Sequence, residues 1–240
     1  MSMTNQQAIK ELEKISTPIV YDAIEKFHIR SNTAFYTDDT IQCIFPEKGP
    51  LCAYACTAKI TGAVKKGGEE QVVPSKAVWQ YVNESPKPSV MVVEDADEDP
   101  KRACAWGDYS ASIYGALGCK GTITNGFVRD IDVVRELPFQ YFAKSTIAGH
   151  GYIRYKEIDI PVRIGGIVIQ PQDILHADSH GIIVIPKEIE LEELLTKVKE
   201  CLDSEGKVIS YCQRDDFTFE GLLQKVREHE ERSGSHLKAD

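Results

Sequence analysis

Apolar residues recur at helical spacing in three stretches of the first third of the chain. Residues 5 to 14 and 18 to 27 place apolar side chains three or four positions apart, which predicts two amphipathic helices. The run Ser-Thr-Pro at 16 to 18 is typical of a helix start, because a hydroxyl can cap the first turn and proline already has a helical φ. Residues 76 to 83 predict another helix, with Ser75 as its cap.

Continuous or alternating apolar runs predict the strands. Residues 51 to 64 are β-rich, and Ser89 to Glu94 (SVMVVE) is a continuous apolar run, as in strands buried on both faces. Shorter strand patterns lie at Thr122 to Thr124 and Phe139 to Ala143, after a helix-like segment from Asp108 to Leu117. Because strands and helices alternate, the sequence predicts an α/β fold.

The second half of the chain changes character twice. A short helix is predicted after Asp130 as far as Leu137. From Ile147 to Pro186 the chain is β-branched and punctuated by glycine, which predicts hairpins or a small barrel-like layer. From Lys187 onward it is charged and helical, with an interruption at residues 213 to 218.

Charge and composition argue against several classes of protein. The 240 residues carry a formal net charge of −9, whereas phosphate neutralisation needs a clustered basic surface, so nucleic acid is not expected as a partner. The most obvious basic pair, Lys65-Lys66, is followed by Gly-Gly-Glu-Glu and predicts a solvated loop. The N-terminus lacks a signal-peptide core and no apolar run approaches bilayer length, so we expect a cytoplasmic protein without membrane contact.

The seven cysteines are scattered, and none forms a Cys-x-x-Cys pair. This spacing indicates neither a zinc site nor a disulfide framework. Cys104 and Cys119 lie in apolar stretches, where a reduced thiol behaves as a small hydrophobic group. Reduced cysteines agree with an intracellular location.

The most informative polar residues are Asp108 and the pair Arg129-Asp130, with twenty residues between Asp108 and Arg129. The intervening segment predicts a helix, a glycine break, a short strand and an Asn-Gly turn. A helix start leaves N–H groups unpaired and carries the positive end of the helix dipole, so it stabilises an anion. Two carboxylates and an arginine can therefore meet at the start of this helix.

These residues also have a purely structural interpretation. Asp108 would then be a helix cap, Arg129 would pair with Asp130 or Asp132 at the surface, and Gly126 would be ordinary turn chemistry. The combination of residue types favours a site instead. Aspartate is an oxygen ligand for a hard cation, arginine suits a carboxylate or enolate oxygen, and a second carboxylate can position a water.

A second polar cluster consists of His176, Asp178 and His180, whose alternate positions would share one face of a strand and could ligate a metal. The favoured interpretation is a hairpin turn in which the Asp178 side chain bonds its own backbone. His150 lies between two glycines and predicts a loop, with metal ligation as the minor alternative. Asp22 lies on an amphipathic helix and is expected to face solvent.

The segment GDYSASIYGALGCKGTITNGFVRDIDVVRELPFQYFAKS resembles the central block of the superfamily that contains 4-hydroxy-4-methyl-2-oxoglutarate aldolase and the regulator of ribonuclease E activity A. Asp108, twenty residues and Arg129-Asp130 match the Asp-x20-Arg-Asp signature of the aldolase members. STPIVYDAIEKF resembles the Ser-Thr…Asp-Ala helix of the family. QDILHADSHGIIVIP resembles its closing Gly-Asp-x4-Asp-x2-Gly-x4-Pro segment, with Gln172 where the family usually has Gly.

The resemblance implies a fold as well as a function. It implies an α/β domain with a swivelling β/β/α core like that of phosphohistidine domains, and with N- and C-terminal helices. Residues 15 to 190 would form the core, and residues 191 to 240 the C-terminal helices, of one domain spanning 1 to 240. It also implies a homo-oligomer, either a trimer or a hexamer, with sites between subunits.

The resemblance also implies a role for each signature residue. Asp130 would bind Mg²⁺ or Mn²⁺, largely through surrounding waters. Arg129 would contact the substrate and stabilise a pyruvate enolate, and Asp108 would hold the water that supplies a proton to the enolate.

Further contacts to the substrate follow from the same resemblance. The backbone at Gly107, Tyr109 and Ser110 would receive the substrate carboxylate, and Glu205 is the candidate acid from a neighbouring subunit. Family members often have two leucines after the Gly-Asp, whereas this chain has Tyr109-Ser110. A different substrate preference is therefore expected. The acidic stretch Glu94 to Asp99 predicts a solvated loop.

Two functions follow from the resemblance. The leading hypothesis is a lyase that depends on a divalent metal. It would release pyruvate from a 4-hydroxy-2-oxo acid of the 4-hydroxy-4-methyl-2-oxoglutarate type, decarboxylate oxaloacetate, or both. The alternative is a non-catalytic regulator that binds a ribonuclease or a helicase.

Overall fold

The computed structural model describes residues 3–62, 72–98 and 103–233. Residues 231–233 are described by their backbone only. The helices are α1 (Asn5–Leu12), α2 (Thr17–Glu25), α3 (Ser75–Glu84), α4 (Asp108–Ala116), α5 (Ile131–Arg135), α6 (Leu191–Cys212) and α7 (Phe219–Ser233), with a 3-10 turn at Pro46–Lys48. The strands are β1 (Gln42–Cys43), β2 (Leu51–Thr61), β3 (Ser89–Asp95), β4 (Cys119–Thr124), β5 (Phe127–Val128), β6 (Gln140–Ala143), β7 (Ser145–Thr146), β8 (Arg154–Ile158), β9 (Val162–Ile164), β10 (Ile167–Ile169), β11 (Ile174–Asp178) and β12 (Gly181–Ile185). The predicted loop at Lys65-Lys66 lies outside the described residues.

Eight of the strands form one mixed sheet. Its order is β1-β6-β4-β3-β2-β11-β12, and β8 pairs with β2 beyond this path. Neighbouring strands among β2, β3, β4 and β6 run parallel, whereas β1, β8, β11 and β12 pair antiparallel with their neighbours. Helices α3 and α4 lie in the connections between parallel strands, as such connections require. The predicted α/β fold is confirmed.

Strand β3 explains the continuous apolar run SVMVVE. Met91 and Val93 belong to the cluster that includes buried residues of α3, α4 and α5, whereas Val90 and Val92 belong to the cluster that includes the hairpin β9–β10. Alternate side chains of a strand point to opposite faces, so both faces of β3 are covered and the four central positions, 90 to 93, are all apolar.

The terminal helices form a third cluster with the sheet. Buried side chains of α1, α2 and α6 pack together and against Ile183 and Ile185 of β12. The predicted interruption at residues 213 to 218 is confirmed, because α6 ends at Cys212 and α7 begins at Phe219.

Two predicted caps are wrong in detail. Ser75 is the first residue of α3, the cap position is Pro74, and neither provides a side-chain cap. Ser16 occupies the cap position of α2 but makes no cap hydrogen bond. The first amide of this helix, from Thr17, instead donates to Asp178 Oδ2 at 2.7 Å, so a distant carboxylate replaces the local hydroxyl.

The favoured turn at Asp178 is confirmed, because its Oδ1 accepts the backbone N–H of His180 at 2.8 Å. His176 is fully buried; its Nδ1 lies 2.9 Å from Thr17 Oγ1 and its Nε2 lies 3.0 Å from the carbonyl oxygen of Leu12. Burial lowers the pKa of His176, so the neutral ring is favoured. This histidine joins the end of α1 to the start of α2, which is a structural role.

The acidic stretch is not wholly a solvated loop. Asp95 is buried in β3, and Glu94 Oε2 accepts the backbone N–H of Arg163 at 2.8 Å. Asp97 Oδ2 accepts the N–H of Gly62 at 2.7 Å. Glu94 thus binds the middle of β9, and Asp97 binds the residue directly after β2. The prediction failed because a run of acidic residues does not reveal which of their oxygens meet backbone donors.

All seven cysteines lie within the described residues, and all are free thiols, as predicted. Within the described part of the chain, no helix combines the length and apolar character that a bilayer span requires.

Candidate active site

The site forms where two chain segments meet beyond the carboxyl ends of adjacent parallel strands. The chain leaves β3 and reaches Gly107 at the start of α4; it leaves β4 and reaches Arg129-Asp130 through β5. The two segments are joined by backbone contacts, since Trp106 pairs with Val128 and the Arg129 N–H donates to the Trp106 carbonyl at 3.0 Å. Carboxyl ends of parallel strands are where α/β sheets bind ligands.

Asp108, Arg129 and Asp130 come together at this junction. Asp130 Oδ2 accepts the backbone N–H of Asp108 at 3.3 Å and lies 3.4 Å from Arg129 Nε. The side chains of Arg129 and Asp130 are both about one-third exposed. Among the described residues, nothing donates a hydrogen bond to Asp130 Oδ1. Arg129, the Asp130 carboxylate and the backbone of Asp108 meet at the helix start, whereas the Asp108 carboxylate itself accepts the Tyr109 N–H.

The backbone of Asp130 is unusual, with φ 56° and ψ 42° in the left-handed region. Aspartate and asparagine tolerate this conformation better than most residues. Asp130 lies between β5, which ends at Val128, and α5, which begins at Ile131, and its carboxylate lies against Gly107.

Position 107 has no room for a side chain beside the Asp130 carboxylate. Its backbone is extended, with φ −142° and ψ −170°, which any residue can adopt. A Cβ atom at this position would overlap Asp130 Oδ2 and would lie 3.2 Å from Arg129 Nε. The missing side chain lets the start of α4 approach the Asp130 carboxylate.

The amides at the start of α4 are partly engaged by carboxylates of the chain itself. Asp130 accepts the Asp108 N–H, and Asp108 Oδ1 accepts the Tyr109 N–H at 2.7 Å. The exposed Asp108 carboxylate thus occupies the Tyr109 N–H, one of the two amides to which the family resemblance assigns the substrate carboxylate. A substrate that takes this donor has to displace Asp108 by a side-chain rotation.

A cleft of about 480 Å³ opens in front of these amides. The start of α4 and Arg129 form one wall, and α3 and the segment from residue 150 to 155 form the other. The residues that line it are Val72, Val73, Pro74, Ser75, Trp79, Cys104, Ala105, Gly107, Asp108, Tyr109, Ser110, Ile113, Tyr114, Arg129, His150, Ile153, Arg154 and Tyr155.

Two tyrosines form a polar contact at the back of the cleft. The hydroxyl oxygens of Tyr114 and Tyr155 lie 3.0 Å apart. Burial raises the pKa of Tyr114, and the neighbouring Tyr155 raises it further, so both phenols stay protonated.

Sequence reasoning missed most of the second wall. Arg154 and Tyr155 carried no signal, because β8 reaches the cleft only by pairing with β2, a contact nearly a hundred residues apart in sequence. Trp79 lies on α3, where the helical pattern does not show that this side chain lines a cleft. His150 was predicted as a loop residue, which is confirmed, and it also lines the cleft.

Glu205 lies in the second half of α6, beside α2 of its own chain. There it faces Asp22, whose pKa is raised from 3.8 to about 6 by burial first and then by the charges of Glu205 and Glu25. The expectation that Asp22 faces solvent is wrong, because α6 covers that face of α2. A possible contact between Glu205 and a neighbouring subunit stays a prediction.

Replacing Asp22 by Asn is expected to stabilise the fold at neutral pH. The pKa of Asp22 is higher in the folded protein than in the unfolded chain. Protonated Asp22 therefore stabilises the fold at a pH below its unfolded pKa, and this stabilisation is lost as the pH rises toward 6. After a discount for solvent screening, Asp22→Asn is expected to raise the free energy of unfolding by about 1 kcal/mol above pH 6 and by less near pH 4.

Urea unfolding at pH 7.5 and pH 4 measures this difference. The exposed Asp39→Asn is the control. An equal increase at both pH values would contradict the account.

Comparison with known proteins places the chain in a family. The family model described as RraA-like, Aldolase/RraA, matches residues 17–184. A protein of Halalkalibacterium halodurans named "Putative 4-hydroxy-4-methyl-2-oxoglutarate aldolase" is 27% identical over 201 residues, covering 83% of this chain and 86% of that protein. A protein of the same name from Hahella chejuensis is 29% identical over 125 residues, or 50% of this chain and 72% of the relative.

Solved structures share the fold. An uncharacterised protein from Pseudomonas syringae superposes with a TM-score of 0.70 at 23% identity, covering 95% of this chain and 96% of that one. RraAS2 of Streptomyces coelicolor, described as an unusual member of the RNase ES inhibitor RraA protein family, superposes with a TM-score of 0.64 at 20% identity, covering 89% of this chain and all of that one. With its match from residue 17 to residue 184, this chain belongs to the RraA-like family, Aldolase/RraA.

Proposed function

We propose that the protein is a lyase that depends on a divalent metal. It releases pyruvate from a 4-hydroxy-2-oxo acid of the 4-hydroxy-4-methyl-2-oxoglutarate type, decarboxylates oxaloacetate, or both. The observation that carries this proposal is the contact of Asp108, Arg129 and Asp130 at the start of α4, beside an open cleft. The names of the relatives support the same chemistry.

The residues at this junction fit a hard cation. Asp130 is a carboxylate whose Oδ2 is held by an amide and a guanidinium, while its Oδ1 accepts no hydrogen bond from the described residues. Within those residues no group of three or more acidic, histidine or cysteine side chains is arranged to hold a metal. Mg²⁺ keeps several waters and needs only one or two carboxylates, and Mn²⁺ also prefers oxygen ligands. Asp130 is therefore the proposed ligand, with waters and substrate completing the shell.

Both reactions pass through the same substrate-derived anion. In the retro-aldol reaction the 4-hydroxyl gives its proton to a water, and its oxygen becomes the carbonyl oxygen of the second product. The bond between C3 and C4 breaks, and its electrons remain on the pyruvate enolate. In oxaloacetate the bond to the leaving CO₂ breaks with the same result. Protonation of the enolate carbon then gives pyruvate. A bound divalent cation would supply Lewis acidity by withdrawing electrons from the 2-keto acid.

The chain's own residues have separate tasks in this scheme. Arg129 lines the cleft and brings a permanent positive charge to the enolate oxygen, in a position already fixed by its ion pair with Asp130. Asp108 is exposed at the cleft and holds the water that delivers the proton to the enolate carbon. The amides of Tyr109 and Ser110 at the start of α4 bind the substrate carboxylate.

The opposite wall suits the rest of a dicarboxylic substrate. Arg154 lines the cleft and offers a second permanent positive charge, and the Tyr114 and Tyr155 hydroxyls add polar contacts. We also propose a homo-oligomer, a trimer or a hexamer, in which Glu205 of a neighbouring subunit reaches the site.

A panel of 2-oxo acids tests the function. With Mg²⁺ or Mn²⁺, wild type is expected to release pyruvate from oxaloacetate or 4-hydroxy-4-methyl-2-oxoglutarate in a coupled assay, and Arg129→Ala is expected to lose about 10²- to 10³-fold in kcat/KM, the range for removing a transition-state donor. Full activity in Arg129→Ala would contradict its assigned role.

Inactivity of wild type on the whole panel would instead favour the regulatory alternative. That alternative predicts recovery of a ribonuclease or a helicase in a pull-down, unaffected by Asp130→Ala.

A further inference from the structure

The buried cluster next to the site contains a tyrosine whose hydroxyl has no partner among the described residues. Tyr141 on β6 is fully buried, and its hydroxyl has no hydrogen-bond partner among the described residues. A buried polar group without a partner destabilises a fold, and native proteins rarely keep one without a reason.

The Tyr141 side chain packs in the buried cluster that borders the junction holding Asp130. The Tyr141 ring belongs to the same buried cluster as Val128, which directly precedes Arg129-Asp130, and Val134, the fourth residue of α5. It stacks on Phe45 at 5.4 Å between ring centroids, which fixes its orientation. Burial raises the pKa of the Tyr141 hydroxyl, so it stays protonated and remains a donor.

The electrostatic surroundings of the hydroxyl are those of the site. After burial, the groups that raise its pKa are Cys104, Asp130 and Asp108, while Arg129 lowers it. Cys104 and Arg129 line the cleft. The charges of Asp108, Arg129 and Asp130 therefore all act on the Tyr141 hydroxyl.

A second unpartnered donor lies in the same cluster. Trp106, directly before Gly107, is buried, and its Nε1 also has no hydrogen-bond partner among the described residues. Both unpartnered donors belong to the buried cluster that contains Val128, the residue directly before Arg129-Asp130. Ligating carboxylates and waters usually receive such hydrogen bonds from a surrounding layer of residues.

We propose that Tyr141 is a positioning residue for the Asp130 site: its hydroxyl donates a hydrogen bond to the oxygen shell that Asp130 and the waters of a bound divalent cation form together. This inference rests on the proposed function, because it requires Asp130 to hold a cation. The unpaired hydroxyl destabilises the metal-free protein. When the cation binds, the hydroxyl gains a hydrogen-bond partner, and this strengthens cation binding.

Tyr141→Phe tests the inference, because it removes the hydroxyl and keeps the ring. Calorimetric titration with Mn²⁺ is expected to show a 10- to 100-fold weaker affinity, the usual effect of losing such a supporting residue. The metal-free variant is expected to unfold at the same temperature as wild type or higher, because no hydrogen bond of the metal-free chain is lost.

Tyr81→Phe is the matched control. The Tyr81 hydroxyl accepts the backbone N–H of Thr57 at 3.2 Å, so its removal is expected to lower the unfolding temperature and to leave Mn²⁺ affinity unchanged. Wild-type Mn²⁺ affinity in Tyr141→Phe, or a lower unfolding temperature of its metal-free form, would overturn the role of Tyr141 alone. Absence of Mn²⁺ binding to wild type would overturn the metal site and this inference together.

Discussion

Replacing Asp130 by Asn is expected to lower kcat/KM for pyruvate release by about 10³-fold or more. The amide keeps the size of the carboxylate but loses its charge, and Lewis-acid stabilisation by a bound cation is worth several kcal/mol, with each 1.36 kcal/mol a tenfold change. Steady-state kinetics at saturating Mg²⁺ or Mn²⁺ measure the loss.

This substitution removes the side-chain charge without disturbing the backbone conformation at position 130. Asn tolerates the left-handed conformation that Asp130 adopts at φ 56°, and its side-chain oxygen can still accept the N–H of Asp108. The metal-free unfolding temperature should therefore stay close to that of wild type, while the stabilisation by added Mn²⁺ disappears. Retained metal stabilisation in Asp130→Asn would place the cation elsewhere.

Replacing Gly107 by Ala is expected to lower kcat/KM by about 10²-fold, the loss that a displacement of about 1 Å can cause at a reacting centre. The new Cβ would overlap Asp130 Oδ2, so the carboxylate or the start of α4 must move. Because the backbone of Gly107 is extended, the loss reflects crowding rather than a forbidden conformation.

Gly115→Ala provides the matched control within the same helix. A Cβ at Gly115 would meet only Phe139, at an ordinary 3.8 Å, and alanine favours a helix interior more than glycine by about 1 kcal/mol. Kinetics and thermal unfolding should show unchanged activity and equal or higher stability. Similar activity losses in both variants would contradict the specific contact between Gly107 and Asp130.

Much of the fold could be predicted from local sequence patterns. The helical spacing before Glu25, the apolar run of β3 and the interruption before α7 depend on neighbouring residues, and each was predicted close to its observed bounds. The pairing of β11 with β2 could not be predicted, because these strands are more than a hundred residues apart and turn chemistry does not encode which strands meet.

Part of the candidate site could likewise be predicted from the sequence, and part could not. Asp108 and Arg129-Asp130 lie in one continuous block, so their meeting could be predicted from a helix, a strand and two turns. The crowding at Gly107 and the unpartnered hydroxyl of Tyr141 could not, because both depend on distances between side chains. The wall containing Arg154 depends on the antiparallel pairing of β8 with β2.

The central claim is that this cleft releases pyruvate with the help of a divalent cation. Its most direct test is pyruvate formation by the wild-type protein from oxaloacetate and from 4-hydroxy-4-methyl-2-oxoglutarate, measured after chelation and again after Mg²⁺ or Mn²⁺ is restored. We predict release with the cation, loss with chelator and recovery on addition of metal. Release that continues unchanged in chelator, or no release from either acid with metal present, would contradict it.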